Sequence, residues 1–127
     1  MLLQLENGML LHCYDSDNCL YEDGTDSCEG YNLFREDGSF YDGGELDFDS
    51  SKIQTETALL KEVIEFATGQ KFNYTVLAYT SDCCYESLEE LLEDEFYEYD
   101  LEELIEKVSN ESVKARIREV LKRKEEE

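Results

Sequence analysis

The feature that most limits how this chain can fold is its negative charge and where that charge lies. Of 127 residues, 33 are Asp or Glu and 11 are Lys or Arg, a formal net charge of -22. Residues 1–100 carry 25 acids and 4 bases, whereas residues 101–127 carry 8 acids and 7 bases, so -21 of the total precedes residue 101. Like charges at this density oppose collapse, and the fold must bring them to its surface. Low mean hydropathy (-0.58) with high net charge is also the composition of chains that never fold. The hydrophobic fraction of 41%, with nine Tyr and six Phe, argues the other way. A chain of this length buries about two-thirds of its extended surface. One modest core built on these residues is expected, in a single domain spanning 1–127.

The same charge excludes unaided binding to nucleic acid or to anionic lipid, which would repel the chain over a Debye length of about 8 Å. No run approaches the roughly 20 apolar residues that a membrane-spanning helix needs. The opening MLLQLENGMLLHCY contains Glu6 and has neither a basic start nor a small-residue cleavage site, so no export signal is expected. The chain therefore reads as cytoplasmic, and its five cysteines (Cys13, Cys19, Cys28, Cys83, Cys84) as reduced.

Organisation along the chain is α+β. Leu2–Leu5 and Met9–Tyr14 flank Glu6-Asn7-Gly8, and Tyr31–Arg35 and Ser39–Tyr41 flank Glu36-Asp37-Gly38. Both are hairpin signals, the first because Asn and Gly both tolerate positive φ. Asp15–Gly30 reads as a loop between the hairpins, and an extended piece continues from Asp42 through Leu46 and Phe48. From Ser51 the apolar period becomes helical: Ile53, Leu59, Leu60, Val63, Ile64, Phe66 and Ala67 share a face, Ser51 with Gln54 fits a capping box, and Gly69 supplies the stop. Lys71–Thr80 reads as a strand, central because both its faces are apolar or aromatic. Tyr85–Asp94 reads as a helix with Leu88, Leu91 and Leu92 inside, ending before Glu95, which would otherwise point to the apolar side. Asp100 with Glu103 caps the next helix, and Val113, Ile117, Val120 and Leu121 mark the last. The expected architecture is a small antiparallel sheet of N-terminal hairpins plus one later strand, packed against one central helix. A C-terminal cluster of two to three helices completes it. The blocks run 1–49 β-rich, 50–80 helix then strand, and 81–127 helical.

Chemistry leaves few marks. His12 is the one histidine and sits next to Cys13; on a strand the two point to opposite faces and cannot act as base and nucleophile together. Nucleotide-binding glycine loops, elbow serines and H-E-x-x-H patterns do not occur, so no catalytic residues and no cofactor are expected. Asp15, Asp17, Asp23, Asp26 and Glu29 offer oxygen ligands of the kind Ca²⁺ takes, but Leu20 stands where an EF-hand loop needs glycine. A Ca²⁺-binding accessory domain is thus an alternative reading. His12, Cys13, Cys19 and Cys28 lack zinc spacing, and no metal ligands are assigned.

The segment Glu86–Asp100 is the densest in acid. On a helix, Glu86, Glu90, Glu93 and Asp94 form a row with Glu89 beside it and Glu98 just beyond, and Tyr97 and Tyr99 interleave with the charges. Glu45, Asp47 and Asp49 alternate with apolar residues on a strand. Small domains need a net charge magnitude of only about 2–8 for solubility. The excess points to a basic partner, and tyrosines beside carboxylates suit its Arg-rich surface. In composition the chain resembles the small DNA-mimic and anti-defence proteins of phages and mobile elements, including anti-CRISPR and anti-restriction inhibitors. That likeness implies an inhibitor, not an enzyme, that covers the nucleic-acid-binding surface of a basic nucleic-acid-handling protein. The partner-binding set is Glu86, Glu89, Glu90, Glu93, Asp94, Tyr97, Glu98, Tyr99, Glu45, Asp47 and Asp49. An immunity protein or antitoxin neutralising a basic toxin is the other binding reading. The basic stripe Lys114, Arg118 and Lys122 is expected to serve internally, against the acidic helices.

Overall fold

A glycine fixes each of the two expected hairpins. At the first, Gly8 N donates to Leu5 O (2.9 Å) and Leu5 N to Met9 O (2.9 Å); at the second, Gly38 N donates to Arg35 O (2.8 Å) and Arg35 N to Ser39 O (2.8 Å). Gly8 (φ +94°) and Gly38 (φ +88°) take left-handed backbone, and among the described residues no other residue type does. The turns are therefore three-residue loops with one left-handed position, not two-residue Asn-Gly turns. Asn7 stays on the ordinary side of φ and accepts instead from Met9 N through its own side chain (3.1 Å). In the computed structural model, residues 1–15, 26–49, 52, 55–81 and 83–126 are described.

The elements are β1 (Leu2–Leu5), β2 (Leu10–Asp15), β3 (Asp26–Phe34), β4 (Phe40–Asp49), α1 (Glu56–Thr68), β5 (Tyr74–Ala78), α2 (Leu88–Glu95), α3 (Glu98–Lys107) and α4 (Glu111–Glu126). The five strands form one antiparallel sheet in the order β4-β3-β2-β1-β5. The α+β expectation, with a C-terminal helix cluster, is what the fold shows.

β3 begins at Asp26, five residues before the expected Tyr31. Asp26–Gly30 lacks strand propensity of its own. It is held by pairing along its length, from Asp26↔Asp49 to Gly30↔Glu45 on β4 and by Glu29↔Asp15 and Gly30↔Tyr14 on β2. β5 is an edge strand paired only with β1, not a central one. Its apolar residues on both faces come from coverage by helices: Tyr74 and Val76 pack toward α1, and Leu77 and Ala78 toward the C-terminal helices.

Helix starts differ from the sequence reading, α1 and α2 beginning later than expected and α3 earlier. α1 is capped by Thr55, whose side chain accepts from Ala58 N (3.1 Å), and begins at Glu56. The expected cap Ser51 and its partner Gln54 lie outside the described residues. Gly69 closes α1 as expected, with φ +77° and its N–H on Glu65 O. α2 begins at Leu88, capped by Ser87 accepting from Glu90 N (3.2 Å), so Tyr85 and Glu86 precede it; it runs through Glu95. In α3, Asp100 is not the cap. It sits in the first turn and its carboxylate accepts from Tyr97 N (3.0 Å), which draws Glu98 and Tyr99 into the helix.

The sheet divides two cores. On one face Leu3, Leu5, Leu11, Cys13, Tyr31 and Leu33 meet Leu60, Val63 and Ile64 of α1. On the other, Leu2, Leu10, Phe34 and Leu77 meet Leu88, Leu91 and Leu92 of α2, Leu101 and Leu104 of α3, and Val113, Ile117 and Val120 of α4. The strand alternation that sends His12 and Cys13 to opposite faces thus decides which helical layer each one meets.

Candidate functional site

The expected carboxylate row does not form one free face. Glu86 lies ahead of α2, outside the helix. Glu89 is ion-paired to Arg116 of α4, and the Arg116 Nε also donates to Asp37 O in the second hairpin. Glu93 pairs with Arg123 (2.8 Å), and Lys124 donates to its backbone carbonyl (2.8 Å). α4 therefore neutralises one edge of α2, as expected of its bases, but through Arg116 and Arg123. Of the stripe named from sequence, Lys114 and Arg118 meet only Glu111 of their own helix, at 3.5 and 4.0 Å. Glu90, Asp94 and Glu98 are exposed, with no described base in ion-pair reach.

Beyond α2, Tyr97 and Tyr99 are 73% and 62% exposed. Their rings are parallel within 9°, with centroids 6.2 Å apart. The N-terminal turn of α3 sets this arrangement, because Asp100 fixes Tyr97 N and so orients the residue that leads into the helix. Two phenol rings displayed to water, with the exposed Glu98 between them in the chain, form an amphipathic platform.

On β4, Glu45 and Asp47 are exposed and pair in register with Gly30 and Cys28, on the face of the sheet that carries Asn32 and the C-terminal helices. Asp49 pairs with Asp26; its side chain lies outside the described residues. Glu45 and Glu86 line a common depression of about 610 Å³ with Tyr14, Asn32, Phe40 and Cys84. Glu45 and Glu86 thus share one face, while the Tyr97–Tyr99 platform lies at the α2–α3 junction.

A buried polar cluster was not anticipated. His12 is fully buried, its Nε2 lies 3.1 Å from Thr80 Oγ1, and its Nδ1 has no hydrogen-bond partner. The Met1 amine donates to Thr80 Oγ1 and to Cys13 O, both at 2.6 Å. Tyr14 and Tyr85 flank the imidazole, with centroids 5.7 and 5.9 Å away. Burial, then the nearby amine, push His12 down to about 4, against an opposing pull from Glu95. Burial would raise Glu95, but bonds from Ser81 and Tyr85 outweigh it and hold the carboxyl low. Tyr85 is pushed up to about 12 by burial and by Glu95. Asn32, also buried, donates to Tyr85 O and lies 3.6 Å from Cys84 Sγ. Two sequence signals mark the cluster: His12 alternates with Leu10 and Tyr14, and Glu95 falls on the apolar side of α2. The cluster is enclosed by α2 and the sheet, and it fixes the segment between β5 and α2.

Cys13 is buried toward α1 and its thiol is pushed up to about 12, by burial first and then by Glu29. Cys83 and Cys84 are free and exposed. Asp17, Cys19 and Asp23 lie outside the described residues, as do the side chains of Asp15, Asp26 and Cys28. Among the described residues no group of three or more potential ligands is placed to hold a metal. No helix among them is long and apolar enough to cross a membrane. The chain matches no protein-family model, no curated protein and no solved structure.

Proposed function

We propose that this chain is an acidic inhibitor of the anti-CRISPR or anti-restriction type, and that it binds over the nucleic-acid-binding surface of a basic protein. The observation that carries the reading is the exposed, parallel Tyr97–Tyr99 pair with the exposed Glu98 between the two in the chain. In water, two large exposed rings held parallel are unfavourable surface; against a basic partner they stack on guanidinium groups and anchor the complex. Glu90, Asp94, Glu98 and the β4 acids supply steering, since the whole-molecule charge of -22 accelerates encounter with a basic surface. The fold supports this division of labour by committing Glu89 and Glu93 to α4 and leaving Glu90, Asp94 and Glu98 outward.

The test is capture of a partner from lysate at about 50 mM salt, followed by elution at about 200 mM. The captured protein is expected to be basic, to release steeply over that range, and to be displaced by its own nucleic acid. The double substitution Tyr97→Ala with Tyr99→Ala should weaken the complex by about tenfold or more, with the thermal midpoint of the free chain nearly unchanged. A complex insensitive to salt, or one that binds alongside the partner's nucleic acid, overturns the reading.

A further inference from the structure

β5 leaves half of its backbone hydrogen-bonding capacity unused. Glu6 N donates to Asn73 O, and the register pairs Gln4 with Thr75, so the main-chain groups of Asn73 and Thr75 face β1. Those of Tyr74 and Val76 therefore face outward, and no hydrogen bond among the described residues takes them up. Natural edge strands are commonly covered, bulged or charged to prevent pairing with another chain. Here the register shift lies at the far end of the strand, opposite Leu2/Leu3, and the ammonium of Lys107 reaches only Leu77 O, at 3.5 Å. Tyr74–Val76 stays straight and open.

The surroundings of this edge specify what can lie on it. A groove of about 340 Å³ runs between β5 and α3, where Leu77, Phe96 and Leu104 supply apolar lining beside Asp100, Glu103 and Lys107. Tyr79, 73% exposed, stands at the end of the strand, and the Tyr97–Tyr99 platform begins one residue beyond Phe96. Apolar lining, two carboxylates against one ammonium that is turned to Leu77 O, and an aromatic end together fit an extended segment that alternates basic and apolar side chains. A second copy of this chain is disfavoured, because it brings another -22 to these carboxylates.

We infer that β5 is a docking strand: an extended Lys/Arg-bearing segment of the basic partner adds to its outer edge, pairing with Tyr74 and Val76 while its cations face Asp100 and Glu103. This inference rests on the proposed reading of the chain as an inhibitor of a basic protein. Main-chain pairing supplies register and affinity, and the flanking side chains supply selectivity.

The experiment is residue-resolved amide exchange on the full chain, alone and with a short synthetic peptide alternating arginine and valine. In the free chain, Tyr74 and Val76 amides exchange quickly while Thr75 is protected. The peptide is expected to slow Tyr74 and Val76 by about tenfold or more, and the same peptide N-methylated at alternate residues should not. Val76→Pro removes one outward donor at an edge position that tolerates proline, and should weaken peptide binding by about tenfold. Should that variant misfold, the N-methylated peptide still decides the question with the unaltered chain. Equal binding of both peptides, no binding, or protection confined to other residues overturns the inference. So does concentration-dependent protection of Tyr74 and Val76 in the free chain, which would assign the edge to a second copy. The two proposals fail separately: a captured partner that competes with nucleic acid but leaves Tyr74 and Val76 fast refutes only the docking strand. Peptide pairing at β5, with a captured partner that is not displaced by nucleic acid, refutes only the inhibitor reading.

Discussion

At the scale of single residues, His12 shows how position overrides identity. An imidazole on a strand is unremarkable in a sequence, yet this one is sealed between α2 and the sheet with Nδ1 unpartnered. Its ordinary value of 6.5 falls to about 4 on folding. The unfolded chain therefore binds a proton that the folded chain refuses over this interval, and stability present above pH 6.5 is lost as the pH falls toward 4. Between about pH 7 and pH 5 the loss is expected to be about 2 kcal/mol, measured by urea unfolding, whereas His12→Gln should show little change over the same window. The sequence reading ended α2 before Glu95, because a longer helix would turn that carboxylate toward the apolar side, yet the helix runs through Glu95. The sequence could not indicate that Ser81 and Tyr85 would meet Glu95 there, because those contacts join two elements through the tertiary fold.

Among the elements, periodicity identified each helix and glycine-containing turn signals identified each hairpin, because both are local consequences of chain geometry. Boundaries and neighbours depended on partners. Asp26–Gly30 is strand because β2 and β4 bracket it, and β5 is an edge because β1 already pairs with β2 on its other side. The bases of α4 were legible as internal complements, but which of them reach α2 depends on how the helices cross. Arg116 bridges Glu89 and the carbonyl of Asp37, tying α4 to α2 and to the second hairpin. Arg116→Gln should cost about 1–3 kcal/mol in denaturant unfolding. Arg118→Gln, which loses only a contact to Glu111 at 4.0 Å, should stay within about 0.5 kcal/mol.

For the whole molecule, charge and packing act in opposition. Two apolar layers on a five-stranded sheet hold together a chain with a net charge of -22. Screening that self-repulsion should stabilise the fold: raising salt from about 10 mM, where the Debye length is about 30 Å, to about 1 M should raise the thermal midpoint by on the order of 5 °C. A midpoint that falls with salt would show the internal ion pairs outweighing the repulsion. By itself the sequence determined the α+β class, the two glycine turns, the apolar faces of the helices and the sign of the molecule's own charge. These follow from spacing and composition, which need no knowledge of distant neighbours. Only the tertiary structure decided which acids stay outward, that Tyr97 and Tyr99 stack, that His12 is sealed beside Thr80, and that β5 has an open edge. Each of these depends on residues far apart in the chain meeting in space, and local periodicity carries no record of such meetings.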